Sequence, residues 1–187
     1  MNTTQRHYET LLGEVYSWSV GVRGDPFERA AEWLARFKLD GAATSLDLGA
    51  GFGAHVVPLA RAGSSVTAVD FDRTLLSQLQ STLGGLVKHV SVHQADLVDF
   101  VRAAKEQRWD LILCAGDTIT HLPELSAVRE LISLCAQHLR AGGALALQFR
   151  DSTGLALEGT SRFLEVARTL GGRCTASSSP STTSTCE

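Results

Sequence analysis

The sequence predicts a doubly wound α/β fold with a mostly parallel sheet. Three observations carry that expectation. Five short apolar runs alternate with amphipathic stretches, the pattern of stacked βαβ units. The first run ends in a glycine-rich turn, Gly49-Ala-Gly-Phe-Gly53. Acids stand at the ends of the first four runs, at Asp47, Asp70, Asp96 and Asp117. Right-handed crossovers make the strands of such units parallel. Ligands of open sheets bind at the carboxyl ends of the strands, which is where these acids collect.

Each element follows from local pattern. Residues 5–17 carry Tyr8, Leu11, Leu12, Val15 and Tyr16 at helical spacing. Asp25-Pro26 is a helix start, and that helix bears Phe27, Ala30, Ala31, Leu34 and Phe37 before a stop near Gly41. A strand at 45–48 leads through the glycine turn into a helix over 53–62. A strand at 65–70 precedes a helix capped by Asp72, with Leu75, Leu76, Leu79 and Leu83 inward and Gly84-Gly85 as its stop. A strand at 88–93 leads to a helix at 98–107, and a strand at 109–114 to a helix at 123–139 with Leu125, Val128, Ile132, Cys135 and Leu139 on one face. Gly142-Gly143 then breaks the chain before a strand at 144–149. The Ser/Thr-rich run 171–187 has too few apolar residues to repay the entropy of ordering and is expected to be disordered.

Composition narrows the function. With 187 residues, 44% hydrophobic and 20% charged, the chain suits one domain with a full core. Its net charge is −3, with 17 basic and 20 acidic side chains and no Lys/Arg block, so a nucleic-acid partner is not expected. No apolar stretch approaches the ~20 residues of a membrane span, and no secretory leader stands at the start. No membrane partner and a cytoplasmic location are therefore expected. The four cysteines, Cys114, Cys135, Cys174 and Cys186, match neither a zinc motif nor a disulfide framework. No metal is expected.

The turn itself admits two ligands. Gly49, Gly51 and Ala54 fit a dinucleotide fingerprint, with Asp70 near the ~20-residue offset of a ribose acid. Asp47, however, would repel a pyrophosphate, and an acid beside bare glycine backbone suits a ligand with positive charge or sugar hydroxyls. Asp117 and His121, four residues apart, carry two readings. The preferred one is a helix-capping acid and a pocket-lining histidine; the sharper one is a general base and its orienting partner. His89 and His93 alternate along a strand and read as structural.

Four pieces in order, Leu46-Asp-Leu-Gly-Ala-Gly-Phe-Gly53, Val66-Thr-Ala-Val-Asp-Phe-Asp72, Gln94-Ala-Asp-Leu97 and Trp109-Asp-Leu-Ile-Leu-Cys114, resemble the class I S-adenosylmethionine-dependent methyltransferases, which have a Rossmann-like fold. The resemblance covers about residues 40–150. His7-Tyr-Glu-Thr-Leu-Leu, Cys114-Ala-Gly-Asp-Thr-Ile-Thr-His-Leu122 and Phe149-Arg-Asp151 are similar to an uncharacterised bacterial subgroup. The resemblance implies a helical cap over residues 1–40, a methyltransferase domain over 41–170 and S-adenosylmethionine as cofactor. Gly49, Ala50, Gly51 and Gly53 would pass close to its methionine and ribose, and Asp47 would support the turn and the ammonium group. Asp70 would accept from the ribose hydroxyls, Phe71 would lie on the adenine, and Asp96 would accept from the adenine amine beside Leu97. Cys114 and Ala115 would offer carbonyls to the ammonium. Tyr8, Tyr16 and Trp18 would form a lid.

In related families an Asn/Asp-Pro-Pro-Tyr/Phe after the fourth strand handles DNA bases and protein glutamines; none follows here, which argues against those substrates, and a small-molecule acceptor is expected. The family's closing helix and two strands have only 152–170 to occupy, so the C-terminal strands are expected to be missing or altered. A shifted reading frame over the tail is one explanation. A cofactor-binding module without catalysis is the alternative that such an ending raises, and a dinucleotide-binding protein is the other.

Overall fold

The computed structural model describes residues 25–37, 43–150, 164–168, 174–178 and 182–186. Its elements are α1 (Pro26–Leu34), β1 (Thr44–Leu48), α2 (Val56–Arg61), β2 (Ser65–Asp70), α3 (Arg73–Leu83), β3 (Val90–Gln94), α4 (Leu97–Ala103), β4 (Trp109–Cys114), α5 (Leu125–His138), β5 (Leu139–Arg150), β6 (Leu164–Arg168), β7 (Cys174–Ser178) and β8 (Thr182–Cys186). Short 3₁₀ turns lie at Ala35–Phe37, Gly84–His89 and Thr118–His121. The sheet runs β3-β2-β1-β4-β5-β6-β7-β8. Strands β1 to β5 are mutually parallel where they pair. The order reverses between β1 and β4, which opens a crevice at their carboxyl ends.

Alternation along the strands divides the core in two. Leu111 and Leu113 pack with α1, α2 and α3 through Trp33, Leu34, Val57, Leu76 and Leu79. Leu46, Leu48, Ile112 and Cys114 face α4 and α5 through Val98, Val101, Leu131 and Cys135. A period of two on the strands thus serves both faces of one sheet. Asp47 shares its strand with Leu46 and Leu48 but stands on the other side of the pleat. At the amino ends, Asp110 Oδ2 accepts from the Thr44 N–H at 2.7 Å, the Thr44 hydroxyl at 2.9 Å and Arg140 at 3.0 Å. Burial pushes this carboxyl upward, but the Thr44 donors and Arg140 outweigh it and hold it below the usual range.

Several expectations are corrected. Ala31 is exposed and Trp33 takes its place in the core, because α1 rotates its buried stripe onto Ala30, Trp33 and Leu34. Leu125 is exposed at the first residue of α5, and Leu131 fills the inner face instead. Helix α2 begins only at Val56, because turns occupy the residues after Gly53. Helix α4 ends at Ala103, short of Gln107. Gly142-Gly143 do not break β5: Trp109 pairs with Leu139 and Leu111 with Ala144, so the glycines absorb an irregularity inside a longer strand.

The end of the chain also departs from expectation. Backbone pairing runs antiparallel from β5 through β6 and β7 to β8. Residues 174–178 and 182–186 are strands where disorder was expected; threonine suits a pleated backbone, and neighbouring strands take up the ladder bonds. Closing strands are therefore present, in altered form, as a meander. The expected helix over 5–17, the lid residues Tyr8, Tyr16 and Trp18, the stop near Gly41 and Asp151 lie outside the described residues.

Candidate cofactor site

The site is built on the tips of β1, β2 and β4. After Leu48 the chain turns back: the N–H groups of Gly49 and Ala50 both donate to the Val69 carbonyl, at 2.8 and 3.0 Å. Gly53 donates to the Ala50 carbonyl at 2.9 Å and accepts from Val57 at 3.0 Å, which launches α2. Gly49, Gly51 and Gly53 all have positive φ, at 79°, 51° and 93°, where an L side chain is disfavoured.

The three glycines are not equivalent. A methyl at Gly49 would overlap the Thr118 side chain, and one at Gly53 would overlap Leu79 Cδ1. One at Gly51 would meet only Leu75, at 3.9 Å. The protein's own packing thus accounts for two of them, and Gly51 is the one with space beside it. Helix α1 leans on the same turn: Phe27 meets Phe52 edge-on at 6.1 Å, and Trp33 meets His55 at 5.5 Å. Burial lowers the His55 pKa to about 4, so the ring is neutral. Sequence reasoning missed both: Trp33 lies on the stripe of Ala30 and Leu34, where Ala31 was expected instead, and His55 lies in a turn outside any apolar stripe.

Asp47 is 1% exposed, and neither carboxylate oxygen has a hydrogen-bond partner. Burial, and then the neighbouring Asp70, raise its pKa to about 7. Asp70 is also buried, but each of its oxygens accepts a hydrogen bond. Its Oδ2 accepts from the Gly51 N–H at 2.8 Å and its Oδ1 from the Asp72 N–H at 2.9 Å. Burial raises its pKa, and the Asp72 and Gly51 donors pull it back in part. Asp72 caps α3 through the N–H groups of Thr74 and Leu75, the role the sequence assigned to it.

Asp96 caps α4, accepting from Val98 at 2.9 Å and Asp99 at 3.1 Å, and remains exposed. Leu97 turns into the core. Phe71 is half-buried, and its carbonyl accepts from Gln94. The structure brings Asp47, Asp70 and the glycine turn together. Asp96 lies one strand further out, past β3.

Beyond β4, Cys114 and Ala115 are buried. Burial, with Cys135 and Asp47 nearby, pushes the Cys114 thiol far up. The Ala115 carbonyl accepts from the Thr118 hydroxyl at 2.8 Å and from the Thr118 N–H at 3.4 Å. Asp117 adopts φ 70°, and its carbonyl accepts from Thr120, while its side chain makes no capping bond to the 3₁₀ turn that follows. The left-handed backbone presents the Asp117 carbonyl, not the carboxylate, to this turn. Asp117 and His121 are both half-buried at the ends of this turn. His93 packs on Phe100 at 5.1 Å.

A groove of about 770 Å³ lies at the opposite rim, among Thr44, Lys88, His89, Arg108, Trp109 and Arg140. It is on the amino ends of the strands, away from the acids. Among the described residues, no group of three or more His, Cys, Asp or Glu could hold a metal ion, and no helix is long and apolar enough to cross a membrane.

The arrangement is rich in acceptors and poor in donors, which suits a ligand with a cationic or hydroxyl-bearing face. Residues 46–143 match the family described as "Methyltransferase domain". No curated protein matches the chain. Among solved structures, the chain is similar to SAM-bound CalS10 from Micromonospora echinaspora, an amino pentose methyltransferase involved in calicheamicin biosynthesis. The identity is 23% and the TM-score 0.67, over 86% of this chain and 68% of that one. Magnesium protoporphyrin IX methyltransferase (ChlM) from Synechocystis PCC 6803, with bound SAM, gives 18% and 0.65, over 80% and 75%. The CcbJ methyltransferase from Streptomyces caelestis gives 20% and 0.62, over 82% and 64%. At these identities the likeness is one of fold. The chain spans 64% of CcbJ and 55% of the sinefungin complex of the glycopeptide N-methyltransferase MtfA.

Proposed function

Since the chain belongs to the methyltransferase-domain family, we propose that it binds S-adenosylmethionine at the carboxyl rim of β1 to β4 and transfers the methyl group to a small-molecule acceptor. One observation carries the reading: the Asp47 carboxylate is buried under the glycine turn with both oxygens unpartnered. Such a group costs free energy unless a donor or a cation meets it. An ammonium or sulfonium ligand answers that need, and a pyrophosphate does not. SAM-bound ChlM and CalS10 share the fold, which supports the same cofactor.

Within this reading, Asp47 supplies negative potential beneath the ligand. Asp70 holds the Gly51 backbone in place and presents its remaining lone pairs to the ribose. Phe71 and Asp96 flank the adenine, and Cys114 and Ala115 offer carbonyls. S-adenosylmethionine, when bound, supplies a sulfonium methyl open to in-line displacement, so the protein's task is chiefly positioning. Asp117 and His121 stand beyond β4, where an acceptor nucleophile could be relieved of a proton.

Calorimetric titration of the full chain with S-adenosylmethionine and NAD tests the proposal. Binding of the methyl donor but not NAD, followed by turnover on a panel of small amines, phenols and sugars, is the expected result. Absence of methyl-donor binding would overturn it.

A further inference from the structure

Thr118 does three things at one place. Its side chain fills the space above Gly49 that any Cβ there would need. Its hydroxyl donates to the Ala115 carbonyl at 2.8 Å. Its position is fixed from behind, since the Gly116 N–H donates to Gln148 Oε1 at 3.2 Å and the Asp117 N–H to the Gln148 carbonyl at 3.3 Å. The left-handed backbone at Gly116 and Asp117 then turns Thr118 toward the glycine turn.

A hydroxyl has one proton and two lone pairs. With its proton committed to Ala115, the Thr118 oxygen can only accept. It stands over Gly49, two residues from the unpartnered Asp47, and Asp47 also acts electrostatically on Cys114 at the end of β4. The turn at Gly49 is thus preceded by a buried, unpartnered acid and covered by a hydroxyl whose oxygen is left to accept. An ammonium group, with three donors, matches that set.

We propose that Thr118 Oγ1 accepts a hydrogen bond from the ammonium of the methyl donor's amino-acid portion, making Thr118 a binding residue that fixes how the donor is held. The inference rests on the methyl-donor reading above. Its chemistry separates two ligands: S-adenosylmethionine carries the ammonium on its amino-acid chain, and 5′-methylthioadenosine carries the same nucleoside on a neutral thioether with no amino-acid chain.

The test is calorimetric titration of both ligands into the parent chain and into Thr118→Val, Thr118→Ala and Thr118→Ser, with thermal unfolding of each variant. Val keeps the shape above Gly49 and removes the hydroxyl; Ala removes it with less bulk should Val unfold the chain; Ser restores it. Val and Ala are expected to weaken S-adenosylmethionine by about tenfold, the loss of one charge-assisted bond, and to leave 5′-methylthioadenosine within about twofold of the parent. Ser is expected to retain both affinities. Equal weakening of the two ligands would reduce Thr118 to a packing role and overturn the proposal, as would unchanged affinity in every variant. A parent chain that binds neither ligand defeats the methyl-donor reading itself, before any variant is measured.

Discussion

Asp70 reaches from the tip of β2 to the glycine turn of β1: its Oδ2 accepts from the Gly51 N–H at 2.8 Å, across the strand pair. The residue expected to hold a ribose is therefore also a bracket for the loop. Removing it does two things, and they must be measured apart.

Asp70→Ala should lower stability as well as ligand affinity. It leaves the N–H groups of Gly51 and Asp72 without their acceptor, at about 1–3 kcal/mol for each group left unsatisfied. Chemical denaturation without ligand checks the stability loss, and calorimetry at a temperature where the variant is folded checks the affinity. A variant as stable as its parent would mean that these two bonds contribute nothing net.

The pH dependence of the ligand-free protein carries the mark of Asp47. Its folded pKa of about 7 lies above the ordinary aspartate value of 3.8, so the folded state retains a proton that the unfolded state releases. Its contribution to stability is full below the unfolded pKa and is lost as pH rises through the folded value, levelling off above it. Asp47→Asn should remove this slope, and near pH 8 the variant should be more stable than its parent. Melting curves from pH 5 to 8 are the measurement.

Ligand binding should run the opposite way. A cation beside Asp47 favours the ionised carboxylate, so S-adenosylmethionine affinity should rise from pH 5.5 to 8 and protons should be released on binding. Calorimetry in buffers of different ionisation enthalpy reads the release directly. Asp47→Asn should flatten the profile.

The glycines offer a graded test of packing against conformation. Gly53→Ala must accommodate a clash with Leu79 and a φ of 93°, and should cost about 3 kcal/mol. Gly51→Ala meets no atom closer than 3.9 Å and should cost about 1–2 kcal/mol, the backbone term alone. Denaturant midpoints at constant slope decide the order.

The parallel core was legible because its signals are local. Strands 65–70 and 109–114 were bounded correctly by their apolar runs, and Asp25 and Asp72 declared their helices by their caps. Packing between distant segments was not legible. Nothing in the spacing of Gly49 says that Thr118 will sit on it, and nothing in Gly142-Gly143 distinguishes a break from an irregular pairing inside β5. The acids at the tips are legible in the sequence, but their states are not: Asp47 is unpartnered and Asp70 doubly bonded because the pleat and the turn aim them differently. The Ser/Thr-rich end misled through composition, because strand pairing can order a backbone that has little apolar surface to bury.

Asp110 ties β4 to both of its neighbours at the amino rim, through Thr44 on one side and Arg140 on the other. At the carboxyl rim Asp70 brackets the glycine turn, and Gln148 of β5 holds the turn that follows β4. A ligand seated there would join these two fastenings. Amide hydrogen exchange should then slow on ligand addition at Gly49–Gly53 and Ala115–Thr118, while the residues around Asp110 keep the protection they already had.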